Sequence, residues 1–498
     1  MKINNIILAL ILCISLVGCV KLEEDTSSIL SVSELKTEED FDAALAPVFA
    51  RMAIANKDAH KRITTTGADD LTTWNGGNKA PIGLFDGFGY GNGVGAELEW
   101  LSQFSWDPYW DVIYSANTVI VGAENSTGEE SVRNLAIANA MFARAISYFD
   151  LVRTFGGVPL ILDLDADGTE SRATVLEVYE AIESDLLFAA SQLPSPGAVS
   201  SIGKPSNAAA KAWLSSLYLT WGGWPVKDET KYDLAASTAK EIVDMGYFEL
   251  LPIDELWLLE SENSKESIFS IQYSTGDNNF QLLPQSFLPH TAGGWSDFFA
   301  ELDFYNRFPE GPRKEATFLD SITIRESGTL DPIENVHWTN SEATQRYNPV
   351  YRKYTESEVA GYDTKMVSFR AVEFFRYAEV LLIYAEAQAR SSSGATPASI
   401  EALNQVKRRA AGLPYLTPDA SVDVVTATPN EIVDESGWEL AGEFKRWFDL
   451  VRTERVEEIA ALRDPTEKIV LVGTPSKNHY LAPLPLKAVE GTNLTQNP

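Results

Sequence analysis

Apolar side chains recur every three or four positions over long stretches of this chain. Ile137, Met141, Ala145, Phe149 and Val152 form one such stripe, the pattern of an amphipathic helix with one face turned inward. Gly156-Gly157 supplies a C-terminal stop, and Arg144 and Arg153 are placed to meet the negative end of the helix dipole. Thr174 followed by Glu177 is a capping box that opens a second helix, running to about Leu193-Pro194. Ser206–Trp221 and Asp233–Met245 read as a further pair, the latter closed by Gly246. Val372–Arg390 is apolar on nearly all sides, through Phe374, Phe375, Val380, Leu381, Leu382 and Ile383, which predicts a helix buried inside a helical assembly. Thr396-Pro397 joins an N-cap to a proline at the first helical position, with Ile400, Leu403 and Val406 inward. Strand-like alternation is sparse, and Ser267–Tyr273 is the best short example.

Two helix ends repeat. Phe149–Thr154 and Phe448–Thr453 share the hexapeptide FDLVRT, in which Asp and Arg stand at the i, i+3 spacing that lets them pair. Paired helices of this length predict a mainly all-α fold of stacked helical hairpins in the manner of tetratricopeptide units. Two tracts, about 60–105 and 250–368, break the pattern and hold much of the Gly, Asn and loop-borne Trp and Tyr. Structureless segments of that length are usually functional. No Pro-, Gly- or Ser-rich linker divides the rest, so residues 36–498 read as one domain. Its helical scaffold covers about 36–60, 106–248 and 369–457, and the loop tracts carry few short strands.

The N-terminus departs from this plan. After Met1-Lys2, Ile6–Val17 is almost wholly apolar and runs into Gly18-Cys19. The run is too short for a permanent membrane span and has the layout of a secretory signal over 1–18. The small residue before Cys19 makes a lipobox, so Cys19 is the expected site of lipidation. An acidic tether, including Glu23-Glu24-Asp25, follows over 19–35. Cys13 leaves with the signal, and a mature chain whose one cysteine is acylated holds no disulfide, so its core alone must stabilise it. The net charge of −31 repels nucleic acid and anionic lipid surfaces, and no nucleic-acid partner is expected. Aromatic residues make up 11%, enough to fill a core and leave some for a surface.

Several strings together resemble one family. Trp106–Thr118 (WDPYWDVIYSANT), Ala143–Leu160 (ARAISYFDLVRTFGGVPL), Arg172–Glu180 (RATVLEVYE), Arg376–Ala387 (RYAEVLLIYAEA), Leu403–Pro414 (LNQVKRRAAGLP), Arg446–Arg452 (RWFDLVR) and Asn493–Pro498 (NLTQNP) stand in order along the chain. In this order they resemble the SusD/RagB family of nutrient-binding outer-membrane lipoproteins. Ser436, Gly437 and Phe444 depart from its usual pattern. The resemblance implies a tetratricopeptide-like scaffold with a loop-rich binding face. It also implies a place at the cell outer membrane, lipid-anchored and facing the cell surface, with a SusC-like TonB-dependent transporter as partner.

Glycan recognition needs flat aromatic faces against sugar C–H groups, with amides or carboxylates for the hydroxyls. Asp70, Trp74, Asn75 and Asn78 supply both within Asp69–Asn78. Trp295, after Gly293-Gly294, and Trp338, in His337–Asn340, are the aromatic candidates of the second tract. Each tryptophan has an alternative place, packed beneath its own loop. Asp163, Asp165 and Asp167 match the first half of a calcium loop, but its twelfth position is Thr174 instead of a bidentate Glu; the segment reads as a solvated turn, with calcium as the alternative, and no cofactor is otherwise expected. Gly91–Ala96 fits G-x-G-x-x-A without the preceding strand that a dinucleotide site requires. Four scattered histidines form no metal pair, and no nucleophile elbow is present. The chain therefore reads as a non-enzymatic capture protein for an oligosaccharide or polysaccharide, with a peptide as the second ligand class and glycan cleavage as the third reading.

Overall fold

The computed structural model describes residues 35–74, 76–90, 102–274, 279–325, 332–343, 348–355 and 366–497. The signal, Cys19, the tether up to residue 34, Asn75 and Gly91–Ala96 lie outside them. The scaffold is built from α1 (Glu38–Ala55), α2 (Asp107–Glu124), α3 (Glu130–Phe155), α4 (Val175–Gln192), α5 (Asn207–Trp221), α6 (Lys231–Asp244), α7 (Tyr377–Arg390), α8 (Pro397–Ala410), α9 (Pro429–Glu439) and α10 (Arg446–Arg452). Each of the first six packs on its successor, and α7 packs on α6 across the second loop tract before receiving α8 and α9. This is the stacked-hairpin order of a tetratricopeptide-like fold.

The expected caps form. Thr174 accepts from the Glu177 N–H at 3.2 Å while Glu177 accepts from the Thr174 N–H at 2.7 Å. Gly156 closes α3 at φ 76°, a backbone region that favours glycine. Both hexapeptides pair their Asp and Arg, Arg153–Asp150 and Arg452–Asp449 each at 2.7 Å. They also meet: the Arg153 guanidinium lies 3.8 Å from the Phe149 ring centre and 4.1 Å from that of Phe448.

Two expectations change. Arg144 does not serve the α3 dipole; it is buried and holds Asp185 of α4 through two bonds of 2.8 and 2.7 Å. A further bond reaches Asn117 of α2 at 2.7 Å. Nor is Val372–Arg390 one helix. Val372–Arg376 is strand β6, paired antiparallel with β1 (Ser267–Ile271), and the helix begins at Tyr377. Tertiary context overrides the apolar pattern here. Pairing with β1 sets Phe375 against Trp213 of α5 at 5.0 Å, beside Phe142 and Phe269. It also brings Arg376 level with Ser267, next to Glu266.

Arg376 is 1% exposed. It bonds Glu266 at 2.8 Å, Glu439 at 3.1 Å and Glu443 at 3.0 and 2.8 Å. Arg409 of α8 joins Glu266 at 2.9 Å and also bonds Glu439, and Arg313 reaches Glu435 at 2.6 Å. The second loop tract also carries two more antiparallel pairs, β2 (Phe318–Leu319) with β5 (Val350–Tyr351) and β3 (Ser321–Arg325) with β4 (Pro332–His337).

Truncating Arg144 to Ala leaves the Asp185 carboxylate buried without its partner. The expected loss is about 3–5 kcal/mol of unfolding free energy, read by urea denaturation. A loss below about 1 kcal/mol would place the pair among the marginal ones.

Candidate functional site

Three loop segments converge on one side of the second tract. The first leaves a backbone bridge in which Thr72 and Phe299 exchange N–H···O bonds of 2.9 and 2.8 Å. The Asp86 carboxylate accepts from the Thr72 hydroxyl at 2.8 Å and the Thr73 N–H at 3.2 Å. That bridge projects Trp74, which is half-buried. A Cβ on Gly76 would come within 2.6 Å of the Trp74 ring, so glycine is needed for the ring to fold over its own loop. The edge of Trp74 meets His290 at 5.2 Å and 84°.

Trp295 belongs to the second segment. Its N–H donates to the Gln285 carbonyl at 2.5 Å, and its ring stacks on His60 at 5.3 Å and 17°. The other stacking partner of His60 is Phe104, at 5.9 Å and 23°. His60 Nε2 lies 3.1 Å from Asp297 Oδ2, and Nδ1 lies 3.5 Å from Asp58 Oδ1. Asp297 also bonds Lys79, the residue after Asn78. Burial works against a charged His60, but the hydrogen bonds to Asp297 and Asp58 overcome it and raise the imidazole to about 9. A cation is thus stacked on Trp295 while its counter-ion ties the Trp74 loop to the Trp295 loop.

The third segment is the β3–β4 hairpin. Trp338 follows β4, donates its N–H to the Asp320 carbonyl at 2.9 Å, and stacks on His337 at 5.7 Å and 29°. Trp74 and Trp338 pack against the same small cluster of Phe299, Ile322, Ile324 and Val350. All three predicted tryptophans are half-buried, and Asn78, Thr339 and Asn340 are exposed. The structure therefore gathers Trp74 and Trp338 around one cluster, leaves Asn78 exposed in the Trp74 loop, and couples Trp295 to that loop through His60, Asp297 and Lys79.

Asp70, expected at the ligand, is inside the fold at 1% exposure. It accepts from the Gly442 N–H at 2.9 Å, and its carbonyl accepts from the Tyr351 hydroxyl. Burial and the neighbouring Asp69 push its carboxyl up to about 7 against the Gly442 bond. Its task in this geometry is to fix the loop to the C-terminal helices, as Asp69 does through Arg446 at 2.8 Å. Asp163, Asp165 and Asp167 do not converge either. Asp163 accepts from the Asp165 N–H at 3.0 Å, and Asp167 from the Thr169 N–H at 2.9 Å. Among the described residues no three His, Cys, Asp or Glu side chains gather around a common metal position.

The histidines are what sequence reasoning passed over. Judged by metal spacing they stand alone, yet His60, His290 and His337 each touch one of the three tryptophans. Only the adjacent His337-Trp338 carried a sequence signal.

His60 generates a pH dependence. Its pKa in the fold stands above its ordinary value of 6.5, so the stabilisation is complete below about pH 6.5 and disappears as pH rises through about 9. The Tm of the protein is expected to fall from about pH 7 to about pH 10, with a shallower fall in His60→Gln. Parallel curves for the two proteins would remove His60 from this role.

Comparison with known proteins agrees with this architecture. The SusD family model matches residues 258–498, and a SusD-like model described as starch-binding, associating with outer membrane, matches residues 95–219. The chain is 29% identical to SusD-like protein P2 of Formosa agariphila over 518 aligned positions, covering 98% of each. A SusD homolog from Bacteroides thetaiotaomicron superposes with a TM-score of 0.80 at 21% identity, covering 95% of this chain and 98% of that one. A laminarin-binding SusD-like protein superposes at 0.73 with 24% identity, covering 93% of this chain and 100% of its own. Helical hairpin order, loop tract and matched segments agree, and the chain belongs to the SusD-like family.

Proposed function

We propose that this protein binds a glycan at the outer membrane and delivers it to a SusC-like TonB-dependent transporter without cleaving it. The observation that carries the reading is the set of three half-buried tryptophans on separate loops, each backed by a histidine. Such rings are held in place before a ligand arrives, which lowers the ordering cost of binding. Flat indole faces suit the C–H faces of pyranose rings, and Asn78, Thr339 and Asn340 supply groups for hydroxyls. Asn75 joins this proposal from its place in the Trp74 loop.

Support for the ligand class comes from one structural neighbour described as laminarin-binding and from the starch-binding description of the matched model. Attachment is assigned to acyl groups on Cys19, with the protein facing the cell surface. The first described residues fit such a tether: Leu35 is buried and its carbonyl accepts from the Ser126 hydroxyl at the α2–α3 turn. A pull on the tether is therefore received by the helical scaffold and not by the ligand loops.

Affinity electrophoresis against laminarin, starch and other neutral polysaccharides tests the ligand. Retention by at least one is expected. Trp74→Ala and Trp338→Ala should each weaken it tenfold or more, about 1.4 kcal/mol, with unchanged circular dichroism. Failure to be retained by any polysaccharide, together with saturable binding of peptides, would replace glycan by peptide. Release of shorter sugars on prolonged incubation would overturn the non-enzymatic assignment.

A further inference from the structure

Arg370 stands just ahead of β6 and is 8% exposed. Its Nε–H meets no acceptor, and its guanidinium joins no ion pair among the described residues. The neighbouring buried arginines differ: Arg376, Arg409 and Arg313 each hold at least one glutamate. A buried guanidinium without an ion-pair partner is destabilising; burial pulls the Arg370 pKa down while Glu373 and Glu262 pull it back.

Arg370 borders a cavity of about 30 Å³, room for about two water-sized atoms. That is the space the two oxygens of one carboxylate require. Trp257 forms one wall, with Lys353 Nζ 4.4 Å and the Arg370 guanidinium carbon 5.6 Å from its ring centre. Gln281 also lines the cavity; its Oε1 accepts from the Leu283 N–H at 2.8 Å, which leaves the NH2 group as a donor. The acidic lining is already spent. Glu443 is held by Lys353 at 2.9 Å and by Arg376 at 3.0 and 2.8 Å. Glu373 accepts from the Ser267 hydroxyl at 2.7 Å, and burial pushes it up to about 7. Of the two cations lining the cavity, Lys353 is paired with Glu443, whereas Arg370 holds no ion pair among the described residues.

We propose that this cavity is a carboxylate-binding site, with Arg370 supplying the principal donors and Gln281 and Lys353 the flanking ones. The guanidinium edge matches two carboxylate oxygens at once. The site is separate from the tryptophan loops and does not depend on the glycan reading. Its ligand is a small organic acid, or the carboxylate of an acidic sugar.

Thermal unfolding of the whole protein at constant ionic strength tests the site, with sodium formate, sodium acetate, sodium glucuronate and sodium chloride as probes. Formate and acetate are expected to raise the Tm saturably and chloride is not. Glucuronate acting like formate assigns the site to acidic sugars, and glucuronate acting like chloride assigns it to small free acids. Arg370→Met should lose the response, and without carboxylate it should be at least as stable as the wild type, because an unpaired buried charge has gone. Equal shifts with formate and chloride, or a variant that responds like the wild type, would overturn the proposal. Should the variant fail to fold, wild-type crystals soaked in bromoacetate decide: an anomalous bromine peak beside Arg370 supports the site, and water alone in the cavity refutes it.

Discussion

Arg376 is the constraint on which the placement of the second loop tract against the C-terminal helices depends. Its guanidinium sits at the junction of β6 and α7 and spends its donors on Glu266 in one stretch of chain and on Glu439 and Glu443 in another. The second loop tract packs Phe287, Phe298, Phe304 and Phe318 into the main core, but apolar contact is non-directional, so where the tract enters and leaves the scaffold needs groups that accept one arrangement only. Here that work falls to charges. Buried ion pairs are weak evidence for net stability, since desolvation offsets most of the attraction. They are strong constraints on geometry, because any alternative packing strands a charge. Glu443 illustrates the balance: burial pushes its carboxyl up, yet Arg376 and Lys353 overcome this and hold it at about 2.

The binding face follows from the same logic at smaller scale. Its rings stand on loops, and loops order poorly without cross-links. The His60–Asp297–Lys79 chain supplies one, linking segments that are distant in sequence through charge and stacking together. The second cross-link is apolar, the cluster shared by Trp74 and Trp338.

Helices were legible because their signals are local. Thr174 and Glu177, Thr396 and Pro397, and Gly156 are all read within a few residues, and each cap forms where its residues predict. The strand at Val372–Arg376 was not legible, because its partner lies a hundred residues earlier in β1 and its apolar run suits a buried helix equally well. Of the site, the loops and their tryptophans could be named from composition. Asp70 could not be placed, since nothing beside it in sequence announces that Gly442 and Tyr351 will close over it. His60 was invisible for the same reason: both of its stacking partners come from other segments.

The contact between the two FDLVRT copies bears on how the chain reaches this state. Arg153 ends α3 with its guanidinium against both Phe149 and Phe448, so the last turn of an early helix is completed by a residue near the C-terminus. Contacts of such separation are slow to form, because loop closure must precede any gain from them. During synthesis the early hairpins can stack in order, but this apolar slot stays unfilled until α10 has emerged. The second hexapeptide copy is thus the late-arriving half of a contact whose first half is made some three hundred residues earlier.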